Sequence, residues 1–314
     1  MYNSIMDPIS IILIVLGLIL FEVISSIDNA VINAQVLSTM SERARKWFLV
    51  WGLLAAVFLL RGLLPFAIVW ITNPSLGPLG VITAAFSSDS RVHEAIAQSS
   101  PILLMGGGVF LLFLFFHWLF LEPKKFGLRG EKFIQSQGIW FYAVVSAILA
   151  TVVWFSLKLD PLMAFGAVIG STAFFITHGF KENAEHAEKS LIKGSKTRSD
   201  ISKILYLEVI DATFSIDGVV GAFAFTLFVP LILIGNGIGA FVVREITLHN
   251  IDRIQKYAYL KNGAMYSILV LGVIMILDSF KFHIPEWFTP VATVVVVGYF
   301  FLKSRSELGQ KGVE

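Results

Sequence analysis

Residues 101–121 read PILLMGGGVFLLFLFFHWLFL and contain no Asp, Glu, Lys or Arg. A hydrocarbon layer roughly 30 Å thick needs about 20 predominantly apolar helical residues for each crossing. The run meets this requirement, so it predicts a transmembrane helix. Its glycines belong to the helix and not to a phosphate-binding loop, because no Lys followed by Ser or Thr comes after them.

The composition of the whole chain agrees with a membrane location. Of its 314 residues 56% are hydrophobic and 15% are charged, and the mean hydropathy is +0.78. Such a chain is too apolar for a soluble domain of this length. The chain has no cysteine, which excludes disulfides and thiolate metal ligands, so a metal site must use oxygen donors or histidine. The first apolar segment lacks the basic start and the cleavage pattern of a signal peptide, and we expect it to be retained.

Apolar runs on both sides of residues 101–121 predict an all-α polytopic membrane protein with about nine transmembrane helices. The predicted helices are residues 8–37, 47–72, 101–121, 138–157, 161–179, 204–228, 231–248, 263–280 and 287–303. The sixth and seventh are divided at Pro230, since proline fits a tight turn. Residues 73–100 contain only a short apolar run, and we expect them to lie at the interface or to enter the membrane part-way.

Lys and Arg are distributed unevenly among the predicted loops. Alternate loops hold 19 of the 24 basic residues. Basic residues in short loops accumulate on the cytoplasmic side, so the pattern predicts an external N-terminus and a cytoplasmic C-terminus in the inner membrane of a cell. We divide the chain into a first repeat (1–121), two connecting helices with a basic cytoplasmic loop (122–203), and a second, inverted repeat with a final helix and short tail (204–314).

The repeat is visible in two motifs, EVISSIDN at residues 22–29 and DATFSIDG at residues 211–218. Each contains an acid, three residues, Ser-Ile-Asp and a small helix-weakening residue. An odd number of predicted crossings separates the motifs, so they run in opposite directions. Each is followed by a helix that carries a buried arginine, Arg61 and Arg244. Inverted repeats that meet near the bilayer midplane are a recurrent transporter architecture.

The acids of these motifs need an explanation, because an Asp at the centre of a membrane helix costs about 2.5–3.5 kcal/mol. Proton uptake, pairing with Arg61 and Arg244, or a bound cation would each offset this cost. Four acids against two arginines leave two negative charges, which matches one divalent ion. The arginines would then either neutralise acids or gate the pathway. The alternative is a buried ion-pair network that only fixes helix packing.

Helix geometry limits how the acids can share one ion. An acid and a Ser four residues apart lie on one face, whereas acids six residues apart lie about 240° apart around the axis. Either each helix unwinds near Asn29 or Gly218 and frees carbonyl oxygens, or each repeat contributes one acid to a shared site. Hard divalent ions prefer such oxygen ligands. The candidate metal ligands are Glu22, Ser26, Asp28, Asn29, Asp211, Ser215 and Asp217.

A weaker pattern lies at the end of the fifth predicted helix, where His178, Glu182 and His186 recur every four residues. They suggest either a cytoplasmic metal-collecting site or a solvated amphipathic extension of the helix, and we favour the extension. The chain shows no nucleophile with a neighbouring base, so we predict neither an enzyme nor a resident cofactor.

The two motifs, together with Arg61 and Arg244, resemble those of the TerC integral membrane family, named for tellurite resistance. The resemblance covers residues 8–72 and 204–280. It implies a metal-ion transporter related to the lysine-exporter superfamily, with export of Mn²⁺ as its activity. The second hypothesis is a membrane scaffold for stress-response complexes, in which partner proteins dock on cytoplasmic loops such as 180–203. The expected partners are therefore the lipid bilayer and a divalent ion, without nucleic acid; a homo-oligomer is left open.

Overall fold

The computed structural model describes residues 7–52, 62–72, 74, 77–86, 90–124, 126–193, 199–249 and 256–311. These residues form helices joined by turns, with no strand among them, which confirms the all-α polytopic class. Six helices of the described ranges are long and apolar enough to cross a membrane. They are Pro8–Ser25, Ser100–Leu121, Gly138–Leu157, Pro161–Phe180, Val229–Thr247 and Leu260–Ser279. The count of nine stays a prediction.

We number the α-helices in chain order. They are α1 (Pro8–Ser25), α2 (Ile27–Ser38), α3 (Glu42–Trp47), α4 (Gly62–Thr72), α5 (Gly77–Phe86), α6 (Ser90–Leu121), α7 (Glu131–Ser136), α8 (Phe141–Leu157), α9 (Pro161–Lys193), α10 (Asp200–Ala222), α11 (Val229–His249), α12 (Leu260–Ser279) and α13 (Phe288–Lys311). A π-helical turn, Phe48–Gly52, follows α3, and a 3₁₀ turn, Gly138–Trp140, precedes α8.

Helix α6 lies at the centre of the bundle, between α9 and α12. Glycines make both contacts close. A Cβ atom on Gly106 would lie 2.9 Å from the carbonyl oxygen of Gly166 in α9, and one on Gly108 would lie 2.9 Å from that of Gly272 in α12. Small residues of this kind let membrane helices approach backbone to backbone. Helix α8 is peripheral by comparison, because only 11% of its most apolar stretch is buried, so its side chains are available to lipid.

The contacts also give the relative directions of the helices. Leu18 and Glu22 of α1 lie against Gly235 and Gly239 of α11, so these two helices are parallel. Glu22 and the preceding Phe21 lie against Gly218 and Gly221 of α10, respectively, so α1 and α10 are antiparallel. The two sequence motifs therefore run in opposite directions where they meet.

Several boundaries differ from the predicted ones, and three of the differences concern the motifs and the central helix. The first predicted helix is divided at Ser26, which separates α1 from α2. Pro230 does not form the turn between the sixth and seventh helices. It lies in the first turn of α11, where proline is tolerated because no intrahelical partner awaits its missing N–H, and the connection runs through residues 223–228 instead. Within residues 73–100 the described part contains α5, ten residues long, and the beginning of α6.

The ends of the two motif-bearing helices are tied together. Lys203 in α10 is buried, and its Nζ donates to the carbonyl oxygen of Thr39, which follows α2, at 2.9 Å. The hydroxyl of Ser41 donates to the carboxylate of Asp200 at the start of α10. These bonds fix the register between α2 and α10, and therefore the position of one motif relative to the other.

Candidate functional site

The candidate site is centred on the carboxylate of Glu22, of which only 1% is exposed. Its Oε1 accepts a hydrogen bond from the hydroxyl of Ser26 at 2.8 Å. The acid and the serine lie four residues apart, so the bond runs along one helix face, as the spacing predicts. The hydroxyl of Ser25 donates to the backbone carbonyl of Glu22 at 3.2 Å.

The second motif lies directly against this carboxylate. A Cβ atom on Gly218 would lie 3.0 Å from Glu22 Oε2 and 4.0 Å from Ser25 Oγ. A side chain at position 218 would require the carboxylate to move by a few tenths of an ångström, so glycine permits the close approach. The structure thus brings the end of the second motif onto the first acid of the first motif.

Neither motif unwinds where the sequence suggested. Helix α10 continues through Gly218, so unwinding there is wrong; this glycine gives room to Glu22 while the helix is maintained. In the first motif the interruption falls at Ser26 and not near Asn29. It is small, since the N–H of Ser26 bonds the carbonyl of Glu22 at 3.1 Å and the N–H of Ala30 bonds that of Ser26 at 3.0 Å.

Helix α11 closes the third side of the site. A Cβ atom on Gly239 would lie 2.6 Å from Glu22 Cβ and 2.7 Å from its Cγ. One turn earlier, a Cβ atom on Gly235 would lie 2.5 Å from Leu18 Cβ. Three helices therefore meet around a single carboxylate, and two glycines permit their approach.

The other predicted site residues either lie on the helices that meet at Glu22 or are not among the described residues. Ser215 is buried on α10, one turn before Gly218, and Asp217 is half-buried. The Nε atom of the half-buried Arg244 has no hydrogen-bond partner among the described residues. The side chains of Asp28, Asn29, Asp211 and Arg61 lie outside the described residues. Among the side chains that are described, no three His, Asp or Glu groups form a metal cluster.

Sequence reasoning did not include Asn236 of α11 among the site residues. This side chain is 1% exposed, and neither its amide nitrogen nor its amide oxygen has a partner within the described part of the chain. Burying an unpaired amide costs about 1–3 kcal/mol by mutational data. A polar residue between two glycines in an apolar helix was the available signal. Asn33 of α2 likewise has a buried Oδ1 for which the described residues supply no partner.

Comparison with known proteins adds a family. Residues 27–308 match the family described as "Protein of unknown function (DUF475)". The chain belongs to the DUF475 family. Over 155 residues this DUF475 protein is 28% identical to the UPF0053 inner membrane protein YgdQ of Escherichia coli strain K12, and to the YgdQ proteins of strains O6:H1 and O157:H7. The alignment covers 45% of this chain and 63% of each relative, so it spans less than two thirds of their length. No solved structure matches.

In the DUF475 chain, His178 of the predicted histidine pattern contacts a residue that was not part of the prediction. The ring centroid of His178 lies 3.8 Å from that of His117 in α6, and the His178 ring is nearly parallel to that of Phe174 at 5.7 Å. The side chains of Glu182 and His186 lie outside the described residues, while α9 continues as a helix to Lys193. Spacing within one helix could not indicate a partner on another.

A second buried carboxylate, also missed, lies at the opposite side of α6 from α9. Glu131, in α7, is 2% exposed and accepts hydrogen bonds from Asn262 Nδ2 at 2.9 Å and from the Tyr266 hydroxyl at 3.0 Å. Nearby, Glu122 and Lys261 form an ion pair at 2.7 Å. Burial lowers the pKa of Lys124 to about 8, although Glu122 and Glu131 act in the opposite direction. This cluster fixes the segment after α6 on helix α12.

Proposed function

We propose that this protein is a transporter that moves a divalent cation, best represented by Mn²⁺, across the inner membrane. The observation that carries the proposal is the Glu22 carboxylate, buried where α1, α10 and α11 meet and lying directly against Gly218 of the second motif. A cation site is favoured over a packing contact because the two repeated acidic motifs, on separate helices, meet at this carboxylate.

The chemistry of the junction favours a hard ion. Glu22 and the serines beside it offer carboxylate and hydroxyl oxygens, and the chain has no cysteine for soft metals. Mn²⁺, Mg²⁺ and Ca²⁺ prefer oxygen ligands. A bound cation would also offset part of the cost of burying a negative charge.

Three further observations support transport. The chain contains several helices suited to crossing a membrane, as a transport pathway requires. The relatives that it matches over 155 residues are named as inner membrane proteins. The TerC resemblance of the two motifs implies metal-ion export, and the direction of transport comes from this resemblance alone.

The residues would act as follows. Glu22 supplies the anionic ligand, and Ser26 orients it through the 2.8 Å hydrogen bond. The other motif acids, Asp28, Asp211 and Asp217, provide the remaining negative charge, and Arg61 and Arg244 compensate it when the ion has left. The interruption at Ser26 is the position where α1 and α2 can change their mutual angle, which would open the site to one side of the membrane at a time.

Flux in proteoliposomes tests the proposal. Purified protein would be reconstituted, and uptake of Mn²⁺, Mg²⁺ and Ca²⁺ measured for wild type, Glu22→Gln and Asp217→Asn. We expect Mn²⁺ flux in the wild type and a loss of at least about 100-fold in Glu22→Gln, which corresponds to about 3 kcal/mol. Glu131→Gln is the matched control, a buried carboxylate outside the site, and is expected to keep the wild-type rate per folded protein.

Two results would contradict the proposal. One is a wild-type protein, correctly inserted, that moves none of the three ions. The other is a Glu22→Gln protein with wild-type flux. If only deletions within residues 180–203 impair cells, while flux is unaffected by Glu22→Gln, the scaffold hypothesis replaces transport.

A further inference from the structure

The side-chain amide of Asn236 is buried and has no hydrogen bond within the described ranges, and it can be compared with another buried amide, that of Asn262. Asn262 is similarly buried, at 3% exposed, but its amide nitrogen donates to Glu131. For Asn236 neither polar atom has a partner among the described residues. A buried polar group in this condition is satisfied in the working protein by a water or an ion.

The orientation of α11 directs this amide into the protein. Ile234, Ile238 and Phe241 are 50%, 44% and 54% exposed and form the lipid-facing stripe of the helix. At about 100° per residue, Asn236 lies on the opposite side, near the middle of the buried face. The amide therefore faces the interior of the bundle and not the lipid.

The same geometry brings Asn236 close to Glu22. Asn236 precedes Gly239 by three residues, and side-chain positions with this spacing lie about 5–6 Å apart. A Cβ atom on Gly239 would lie 2.6 Å from Glu22 Cβ. Gly235, adjacent to Asn236, lies against Leu18, one turn before Glu22. The Cβ atoms of Asn236 and Glu22 therefore lie within about 9 Å of each other, which is close enough for both side chains to reach one ion.

We infer that Asn236 is a ligand of the transported cation, supplying its neutral amide oxygen beside the carboxylate of Glu22. This inference rests on the proposed function and assigns a further residue to its site. The amide oxygen coordinates the ion, and the amide nitrogen donates to a water that the ion retains. Mg²⁺ and ions of similar size commonly keep several waters in proteins. A neutral ligand adds coordination without a further negative charge, which keeps the ion able to leave.

Equilibrium binding of Mn²⁺ tests the inference without requiring transport. The full-length protein in detergent micelles would be titrated with Mn²⁺, and free Mn²⁺ followed by its electron paramagnetic resonance signal. Four variants are needed: Asn236→Leu, Asn236→Asp, Glu22→Gln and Asn262→Leu. The last is the matched control, because it removes a buried amide that already has a partner, the carboxylate of Glu131.

We expect Asn236→Leu to weaken Mn²⁺ binding at least about tenfold, equivalent to about 1.4 kcal/mol. Asn236→Asp keeps an oxygen in place and is expected to bind as tightly as the wild type or tighter. Glu22→Gln is expected to lose binding, and Asn262→Leu to keep the wild-type affinity once binding is expressed per folded protein. Size-exclusion profiles of each variant establish the folded fraction.

The outcomes distinguish a failure of the Asn236 inference from a failure of the proposed function. If the wild type binds Mn²⁺ and Glu22→Gln does not, but Asn236→Leu binds as tightly as the wild type, the inference is overturned and the proposed function stands. Equal loss in Asn236→Leu and Asn236→Asp also overturns it, since Asn236 would then act through packing. If the wild type does not bind Mn²⁺, and the flux assay shows no transport of Mg²⁺ or Ca²⁺ either, the proposed function itself fails.

Discussion

Two buried glutamates, each near a buried asparagine, have different surroundings in this molecule. Glu131 is held by the amide of Asn262 and the hydroxyl of Tyr266, at 2.9 and 3.0 Å. Near Glu22, the amide of Asn236 has no partner among the described residues. Both carboxylates are almost fully buried, at 2% and 1% exposed. Burial of an acid therefore does not identify a functional site by itself.

The difference lies in how completely the polar groups are satisfied. A satisfied network makes a structure rigid and specific, whereas an unpaired buried amide lowers stability unless a ligand completes it. The cluster of Glu131, Asn262 and Tyr266 has the first character and joins α7 to α12. At the junction of Glu22 and Asn236, the asparagine amide has the second character. The following predictions test this distinction by stability and by transport separately.

The largest effect on stability is expected for Glu131→Leu. The substitution leaves the Asn262 amide and the Tyr266 hydroxyl without an acceptor, and each buried unsatisfied group costs about 1–3 kcal/mol. We therefore expect a loss of about 2–5 kcal/mol in unfolding free energy, measured by denaturant titration in mixed micelles. Glu131→Gln keeps one acceptor oxygen and should lose clearly less. Equal losses in the two variants would show that Glu131 acts through its volume.

A comparison of the two asparagines gives the next largest effect. Asn262→Leu removes a hydrogen bond to a charged group, so we expect the unfolding free energy to fall by about 1.5–3 kcal/mol. Asn236→Leu removes an amide that has no described partner, and replacing such a group by an apolar one is expected to leave stability unchanged or raise it by about 1 kcal/mol. Thermal unfolding of the ion-free proteins measures both. A destabilised Asn236→Leu protein would mean that the two amides are equivalent.

Substitution of glycines between α6 and α9 tests whether helix packing affects stability without affecting transport at the polar site. A Cβ atom on Gly170 would overlap the carbonyl oxygen of Gly106, whereas one on Gly179, in the same helix, meets nothing within 4 Å. We expect Gly170→Ala to lower stability by about 1–3 kcal/mol because α6 and α9 must separate. Gly179→Ala is the control and should be neutral or stabilising by about 0.5–1 kcal/mol. Transport per folded protein should remain unchanged in both, and a selective loss of flux in Gly170→Ala would extend the functional region to α9.

Much of the fold could be predicted from the sequence, because membrane helices can be recognised by their length and apolarity. The run at residues 101–121 is the central helix of the bundle, as its lack of charge suggests. Pro230 was misleading because proline is suited both to a turn and to the first turn of a helix. The extension of α6 back to Ser90 passes through Pro101, which sequence reasoning took as a start.

The candidate site was only partly predictable. The Glu22 and Ser26 hydrogen bond follows from a spacing of four, and both residues were identified. Contacts between helices distant in sequence leave no such periodicity. The approach of Gly218 and Gly239 to Glu22, the pairing of His117 with His178, and the bonds to Glu131 all depend on packing between separate helices. Asp28, Asp211 and Arg61 remain predicted site residues on sequence grounds.

The smallest effect concerns a third carboxylate, Glu122, which lies near Glu131 but is not enclosed. Glu122 forms an ion pair with Lys261, and the side chains of Glu122 and Lys261 are 36% and 44% exposed, respectively. Burial raises the pKa of Glu122. Lys261 and other cations together lower this pKa by more than burial raises it, so the pKa is below its usual 4.5.

Because the pKa of Glu122 is depressed in the folded state, the folded protein binds fewer protons than the unfolded chain near pH 4.5. The stabilisation is present above about pH 4.5 and is lost as the pH falls through the lowered value. Solvent screening limits it to at most about 1 kcal/mol. Thermal unfolding between pH 7 and pH 3.5, roughly the range in which carboxylates titrate, should show this decline in the wild type and a weaker one in Lys261→Met. Identical pH profiles for the two proteins would mean that the Glu122–Lys261 pair contributes nothing to stability. The stabilising polar contacts of this region would then be the buried hydrogen bonds of Glu131.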